Sequence, residues 1–120
     1  MVILTVGAVW KSGYQIYAHS AVARKGGLPE EAIRDLAAGG CPDQLTDQEK
    51  IAHRYAHQLT VERRVDDALY RAAEQTFGSQ GLMDLAYLLG WYYTVCALLN
   101  AFEVPVPDDR DAATTNPPTT

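Results

Sequence analysis

The sequence predicts an all-α protein, a single-domain bundle of about six helices. Apolar residues recur at helical spacing in several segments, and most of these segments lie between a capping residue and a glycine. Beyond the apolar run at residues 2–10 no segment resembles a strand, so a strand there would have no partner. The chain has 120 residues, 48% hydrophobic and 21% charged, as expected for one globular domain.

The first two predicted helices fill the N-terminal part of the chain. Residues 2–10 fit either a strand or a buried helix by pattern, and the missing partner strand favours the helix. The second helix starts at Ser12 and extends to about Lys25. Ser12 and Gln15 have the spacing of a capping box, in which each side chain bonds a free backbone N–H. Two basic residues and two glycines then end the helix.

Three further helices follow with clear start and stop signals. The short third helix, about residues 29–38, starts with proline and two glutamates and ends at two glycines. The fourth begins at Thr46, which forms a second capping box with Glu49 and precedes apolar residues at helical spacing. The fifth begins at residues 66–67, where an aspartate can cap it, and stops at Gly78.

The last predicted helix, about residues 80–102, is the most apolar. Residues 85–102 carry no charge, which raises the question of a transmembrane segment. Its glycine, tyrosines, threonine and asparagine are too polar for lipid, so we expect no membrane partner. A helix that is apolar on all sides needs cover on all sides, and a domain this small seldom surrounds one alone. The sequence therefore predicts a homo-oligomer: a dimer, trimer or hexamer.

The composition changes after the last helix. Residues 105–120 are rich in proline, threonine and aspartate and are expected to form an extended tail, so the helical domain spans residues 1–104. The net charge is −5 and the basic residues are scattered, so nucleic acid is not an expected partner. The N-terminal apolar run lacks the basic region and cleavage site of a signal peptide, so we expect a cytoplasmic protein.

His19 is the candidate catalytic residue. It lies four residues after Gln15, so the two project from one helix face. A histidine, with a reference pKa of about 6.5, can take or give a proton near neutrality. The alternative is a core histidine bonded to a backbone carbonyl. The side chains nearby that can contact a substrate, although capping and packing would also explain them, are Trp10, Ser12, Tyr14, Gln15 and Tyr17.

The sequence offers little for a metal or cofactor. His53 and His57 are four residues apart, the spacing of a two-histidine metal face. They lack the intervening glutamate of that motif and a third ligand, so solvated or partner-facing histidines are the expectation. Cys41 and Cys96 lie far apart and show no metal-type spacing. We expect no metal and no cofactor.

Four segments carry a resemblance to a known family. They are Gly-Tyr-x-x-x-Ala-His at 13–19, Ala-Arg-Lys-Gly-Gly-Leu-Pro-Glu-Glu at 23–31, Leu-Thr-Asp-Gln-Glu at 45–49, and the passage at 90–105. In this order and spacing the chain resembles the carboxymuconolactone decarboxylase-like family, which includes the alkylhydroperoxidase D-like proteins. The resemblance covers about residues 2–107. It implies an all-helical fold and assembly into dimers, trimers or larger rings.

The chain departs from this family at the acid–base residues. In peroxidase-type members a Cys-x-x-Cys pair precedes the histidine, and here those positions are Ser12 and Gln15. Serine has no thiolate chemistry, which excludes a dithiol peroxidase. The family's upstream glutamate would fall before Met1. Another branch has Tyr-Glu-Trp where this chain has Tyr-Gln-Ile at 14–16, and an amide cannot transfer a proton at neutral pH.

Two classes of function remain open. The first is an enzyme of the lyase or isomerase type, in which His19 acts as acid or base on a small organic substrate. Its reaction would be a non-redox decarboxylation, isomerisation or cyclisation. The alternative is a non-catalytic protein of the same fold whose pocket binds a small molecule, with His19 as a hydrogen-bond donor.

Overall fold

The computed structural model describes residues 1–107 and is all-α, as predicted. Its five helices are α1 (Val2–Trp10), α2 (Gly13–Lys25), α3 (Glu30–Ala37), α4 (Asp47–Glu62) and α5 (Asp67–Ala101). No strand occurs in this part of the chain, so the apolar run at its start is helical. Residues 105–107 follow α5 without regular structure, and the rest of the predicted tail lies outside the described residues.

The fifth and sixth predicted helices are joined in α5, which is broken at one residue. Gly78 has φ 72° and ψ 169°, a conformation outside the helical region that is essentially restricted to glycine. It divides α5 into a first arm, residues 67–77, and a second arm, residues 79–101. The stop predicted at Gly78 therefore marks a break within one long helix.

Two of the three predicted caps form. The Glu49 amide donates to Thr46 Oγ1 at 3.2 Å, and the Thr46 amide donates to Glu49 Oε1 at 3.0 Å, which completes a capping box. The Leu69 amide donates to Asp66 Oδ1 at 2.8 Å at the start of α5.

The capping box predicted at Ser12 and Gln15 is wrong. Ser12 is the N-cap residue of α2, but its side chain makes no capping bond. The Gln15 side chain packs instead on α1, where a Cβ atom at Gly7 would lie only 3.2 Å from Gln15 Cγ. Close contact between the two helices thus takes Gln15 into their interface and away from the Ser12 N–H.

The helix α1 is the centre of the fold and packs against all four other helices. Leu4 lies in a buried cluster with Ile33, Leu36 and Leu45, which come from α3 and the loop after it. Val6 lies in a second buried cluster with residues of α4 and α5, namely Ala56, Leu89 and Cys96. Because α1 is covered on more than one side, it is apolar without the alternation of a surface helix.

The second arm of α5 is not covered on all sides by its own chain. Five large apolar side chains form an exposed row along it and at the residue that follows it, here named the α5 stripe: Met83 (53% exposed), Tyr87 (73%), Trp91 (65%), Leu98 (53%) and Phe102 (76%). By length and composition α5 is also sufficient to cross a membrane. A single such helix is weak evidence for a membrane span, because the core helix of a soluble protein passes the same test. Exposed apolar side chains on a soluble protein are usually scattered singly, whereas those of the stripe follow one another along one helix.

Candidate functional site

His19 lies near the middle of α2, half-buried, with its ring against α5. The Tyr92 ring meets it edge-on, with ring centroids 5.2 Å apart and an interplanar angle of 88°. Burial lowers the pKa of His19, and the positive charge of the Met1 amino group lowers it further. His19 is therefore predominantly neutral at pH 7 and can accept a proton.

The tyrosines predicted to flank His19 reach the surface of α2. Tyr14 is 36% exposed and Tyr17 is 37% exposed, so both phenol groups are accessible to a ligand on that surface. Ser12 and Gln15 are closed to solvent, at 1% and 2% exposure.

The buried pair Ser12 and Gln15 is polar and poorly satisfied. Within residues 1–107, Ser12 Oγ and Gln15 Nε2 have no conventional hydrogen-bond partner. The Ser12 hydroxyl lies beside the Cys96 thiol, a weak partner. Burial raises the pKa of Cys96, and this contact opposes the rise. Cys96 is thus an unreactive interior thiol at neutral pH.

Trp10 has a different aromatic partner from His19. Its ring stacks on Tyr93, with centroids 6.3 Å apart and an interplanar angle of 29°. The Tyr93 hydroxyl is 2.7 Å from Thr60 Oγ1, and the Asn100 side-chain amide donates to the Trp10 carbonyl at 2.8 Å. Adjacent tyrosines of α5 therefore contact different residues, Tyr92 the ring of His19 and Tyr93 the ring of Trp10. A cavity of about 320 Å³ adjoins the Trp10–Tyr93 pair.

A larger cavity, here named the α4 groove, lies between α4 and the first arm of α5 and has a volume of about 630 Å³. None of the predicted site residues lines it. Its walls include His53, Arg54 and His57. Sequence reasoning identified the two histidines only by their spacing and as a weak metal motif. Within residues 1–107, no three His, Cys, Asp or Glu side chains lie close enough together to hold a metal ion.

His53 is buried, so of the two expected environments, solvated or partner-facing, the solvated one is wrong. It is 4% exposed, and its Nδ1 lies 2.9 Å from Thr5 Oγ1 on α1. Burial lowers the pKa of His53, and the positive charges of His57 and Arg54 lower it further. The His53 and His57 ring centroids are 6.0 Å apart.

From the lowered pKa of His53 we predict that the folded protein is less stable in mild acid. Because the pKa of His53 is lower in the folded protein than the ordinary 6.5, the unfolded chain binds a proton first as the pH falls. The free energy of unfolding should therefore decrease from about pH 6.5 downwards. Urea unfolding between pH 7.5 and 5 should show a smaller decrease for His53→Gln, which does not titrate. Parallel curves for the wild type and this variant would contradict the prediction.

The geometry thus provides one neutral, accessible histidine on α2 and a separate histidine-lined groove on α4. Comparison of the chain with protein-family models, with curated proteins and with solved structures gave no match. The function is therefore argued from the geometry and from the resemblance of the four sequence segments.

Proposed function

We propose that this chain is a divergent carboxymuconolactone decarboxylase-like enzyme of the lyase or isomerase type. It acts on a small organic substrate by proton transfer at His19, without a metal or cofactor, in the cytoplasm. The observation that carries the proposal is the state of His19, which is half-buried beside Tyr92 and has a lowered pKa. A neutral imidazole at the edge of an aromatic surface suits a general base.

The arrangement of helices supports the family assignment. The break at Gly78 gives α5 two arms, which in the proposed alkylhydroperoxidase D-like bundle would be the fifth and sixth helices. The helix carrying His19 packs on both α1 and α5, so the histidine is held at a junction of helices. Such a junction provides a rigid support for a functional side chain.

A homo-oligomer is part of the proposal. The second arm of α5 carries both Tyr92, the ring partner of His19, and the exposed α5 stripe. A second copy of the chain seated on the stripe would cover the apolar side chains and restrict solvent access near His19. Exclusion of water strengthens the electrostatic interactions in a catalytic site.

The alternative function is a pocket protein that binds a small molecule without converting it. One observation favours it: within residues 1–107 no carboxylate contributes to the pKa of His19. A catalytic histidine is commonly oriented by such a group. In the binding function His19 donates a hydrogen bond, and Tyr14 and Tyr17 provide contact surface.

The variant His19→Ala distinguishes the two functions. A panel of small carboxylic acids and lactones is incubated with the wild type, and ¹H NMR monitors conversion and binding. For any compound that is converted, His19→Ala should lower kcat about 10²–10⁴-fold, the usual contribution of a general acid or base. Its affinity, measured by calorimetry, should change little.

Several outcomes would decide against the enzyme. Retained turnover in His19→Ala would rule out proton transfer by this residue, and binding of the panel without any conversion would support the pocket protein. Tyr70→Phe, at an exposed position of α5 outside the site, is the matched control and should keep wild-type turnover. Turnover in a thiol-peroxidase assay would contradict the non-redox assignment.

A further inference from the structure

The α4 groove has the size and composition of a ligand site. Its volume of about 630 Å³ lies within the range of about 300–1,000 Å³ found for small-molecule pockets. Nitrogen-bearing side chains line part of it, and apolar side chains line another part, among them Ile51, Leu69 and Ala72. His19 and Tyr92 are absent from its lining, so the groove is separate from the proposed catalytic site.

The charged side chains that act on His53 are basic, and no carboxylate in the described part of the chain acts on it. Arg54 and His57 are the charged groups that act on His53, and no carboxylate offsets them there. Within residues 1–107 the only ion pair is Arg24 with Glu30, so Arg54 makes none. An anion placed at this part of the groove would therefore meet the Arg54 guanidinium, whose charge no ion pair with a described residue neutralises.

Two carboxylates also line the groove, Glu62 at the end of α4 and Asp66 at the start of α5. Asp66 is engaged as a helix cap: it accepts from the Leu69 amide at 2.8 Å and from Gln58 Nε2 at 3.0 Å. Gln58 Oε1 in turn accepts from the Asp66 amide at 2.9 Å. Glu62 lies two turns beyond Arg54 on the same helix. Neither acid forms an ion pair with Arg54.

His53 is held in one orientation by α1. With Thr5 Oγ1 at 2.9 Å from Nδ1, the ring cannot rotate without losing a buried hydrogen bond. The single Thr5 hydroxyl proton has two acceptors within reach, His53 Nδ1 at 2.9 Å and the Met1 carbonyl at 3.4 Å. Donation along the shorter contact leaves the ring proton on Nε2, which is then the nitrogen that can donate to a ligand.

From these contacts we propose that the α4 groove binds a small organic carboxylate. The carboxylate accepts hydrogen bonds from the Arg54 guanidinium and the imidazoles of His53 and His57. Its apolar body packs against Ile51, Leu69 and Ala72. The site does not depend on the function of His19, and its ligand need not be a substrate.

NMR titration with matched probes tests this site. Hexanoate and benzoate are added to the full chain, and their neutral counterparts hexanol and benzyl alcohol are added separately. The carboxylates should shift the imidazole signals of His53 and His57 and bind at least about tenfold more tightly than the alcohols, as expected for charge-assisted hydrogen bonds. Equal binding of acid and alcohol, shifts confined to His19, or no binding at millimolar concentration would overturn the proposal.

Substitution of Arg54 provides a second test. Arg54→Gln should weaken carboxylate binding about tenfold or more, since it removes a charged donor. Arg64→Gln removes an exposed arginine that does not line the groove and should bind like the wild type. Equal affinity of the two variants would contradict the assignment. The imidazole shifts of the wild type decide the question even if a variant fails to fold.

Discussion

Replacing Leu89 by alanine is expected to lower the free energy of unfolding by about 2–5 kcal/mol. Leu89 is 1% exposed and lies where α1, α4 and α5 meet, in the cluster with Val6, Ala56 and Cys96. The helices around it are fixed by their other contacts, so the space left by the side chain cannot close fully. A domain has a total stability of about 5–15 kcal/mol, so this single change would remove a large part of it.

Leu88→Ala is the matched control for Leu89→Ala. Leu88 is the neighbouring residue on the same helix and is 40% exposed, so the same chemical change removes far less buried contact. Its cost should be below about 1 kcal/mol. Urea unfolding followed by circular dichroism, at one protein concentration, gives both values. Similar decreases in the free energy of unfolding for the two variants would contradict the described packing of the second arm.

The double variant Tyr87→Glu, Trp91→Glu is expected to dissociate the proposed homo-oligomer. The two aromatic side chains lie one turn apart on α5, and Tyr87 is 73% and Trp91 65% exposed. Aromatic residues at the centre of an interface commonly contribute 2 kcal/mol or more, which corresponds to about a thirtyfold weaker dissociation constant. Glutamates there would also have to lose their hydration on association.

Light scattering coupled to size-exclusion chromatography measures this change at micromolar protein. Val61→Glu introduces a charge at another exposed apolar position, 52% exposed on α4 and outside the stripe, and should leave the oligomer intact. A monomeric wild type would contradict the oligomer itself. Dissociation by Val61→Glu alone would place the interface on α4.

Local signals in the sequence were sufficient for much of the fold. Thr46 and Glu49 form the expected capping box because both partners lie within one helical turn and face solvent. The break in α5 occurs at Gly78 because no other residue type adopts that backbone conformation readily. The helical state of residues 2–10 followed from the lack of a second strand, and their burial explains why they are apolar throughout.

Contacts between distant segments could not be predicted in the same way. Ser12 and Gln15 have the spacing of Thr46 and Glu49, yet the close approach of α1 at Gly7 places Gln15 in a helix interface. The neighbours of His19 and His53 present the same difficulty, because Tyr92 and Thr5 come from other helices. The sequence identified the helix that carries His19 but not the aromatic ring that contacts it.

The break at Gly78 also bears on how the protein loses structure. Ala73 of the first arm packs with Tyr55 and with Leu82 of the second arm, whereas Leu89 and Cys96, further along the second arm, belong to the separate cluster around Val6. Opening of the first arm would therefore remove neighbours of Leu82 but leave the cluster of Leu89 and Cys96 intact. Local opening of the first arm would expose one wall of the α4 groove while the contacts around α1 stay in place.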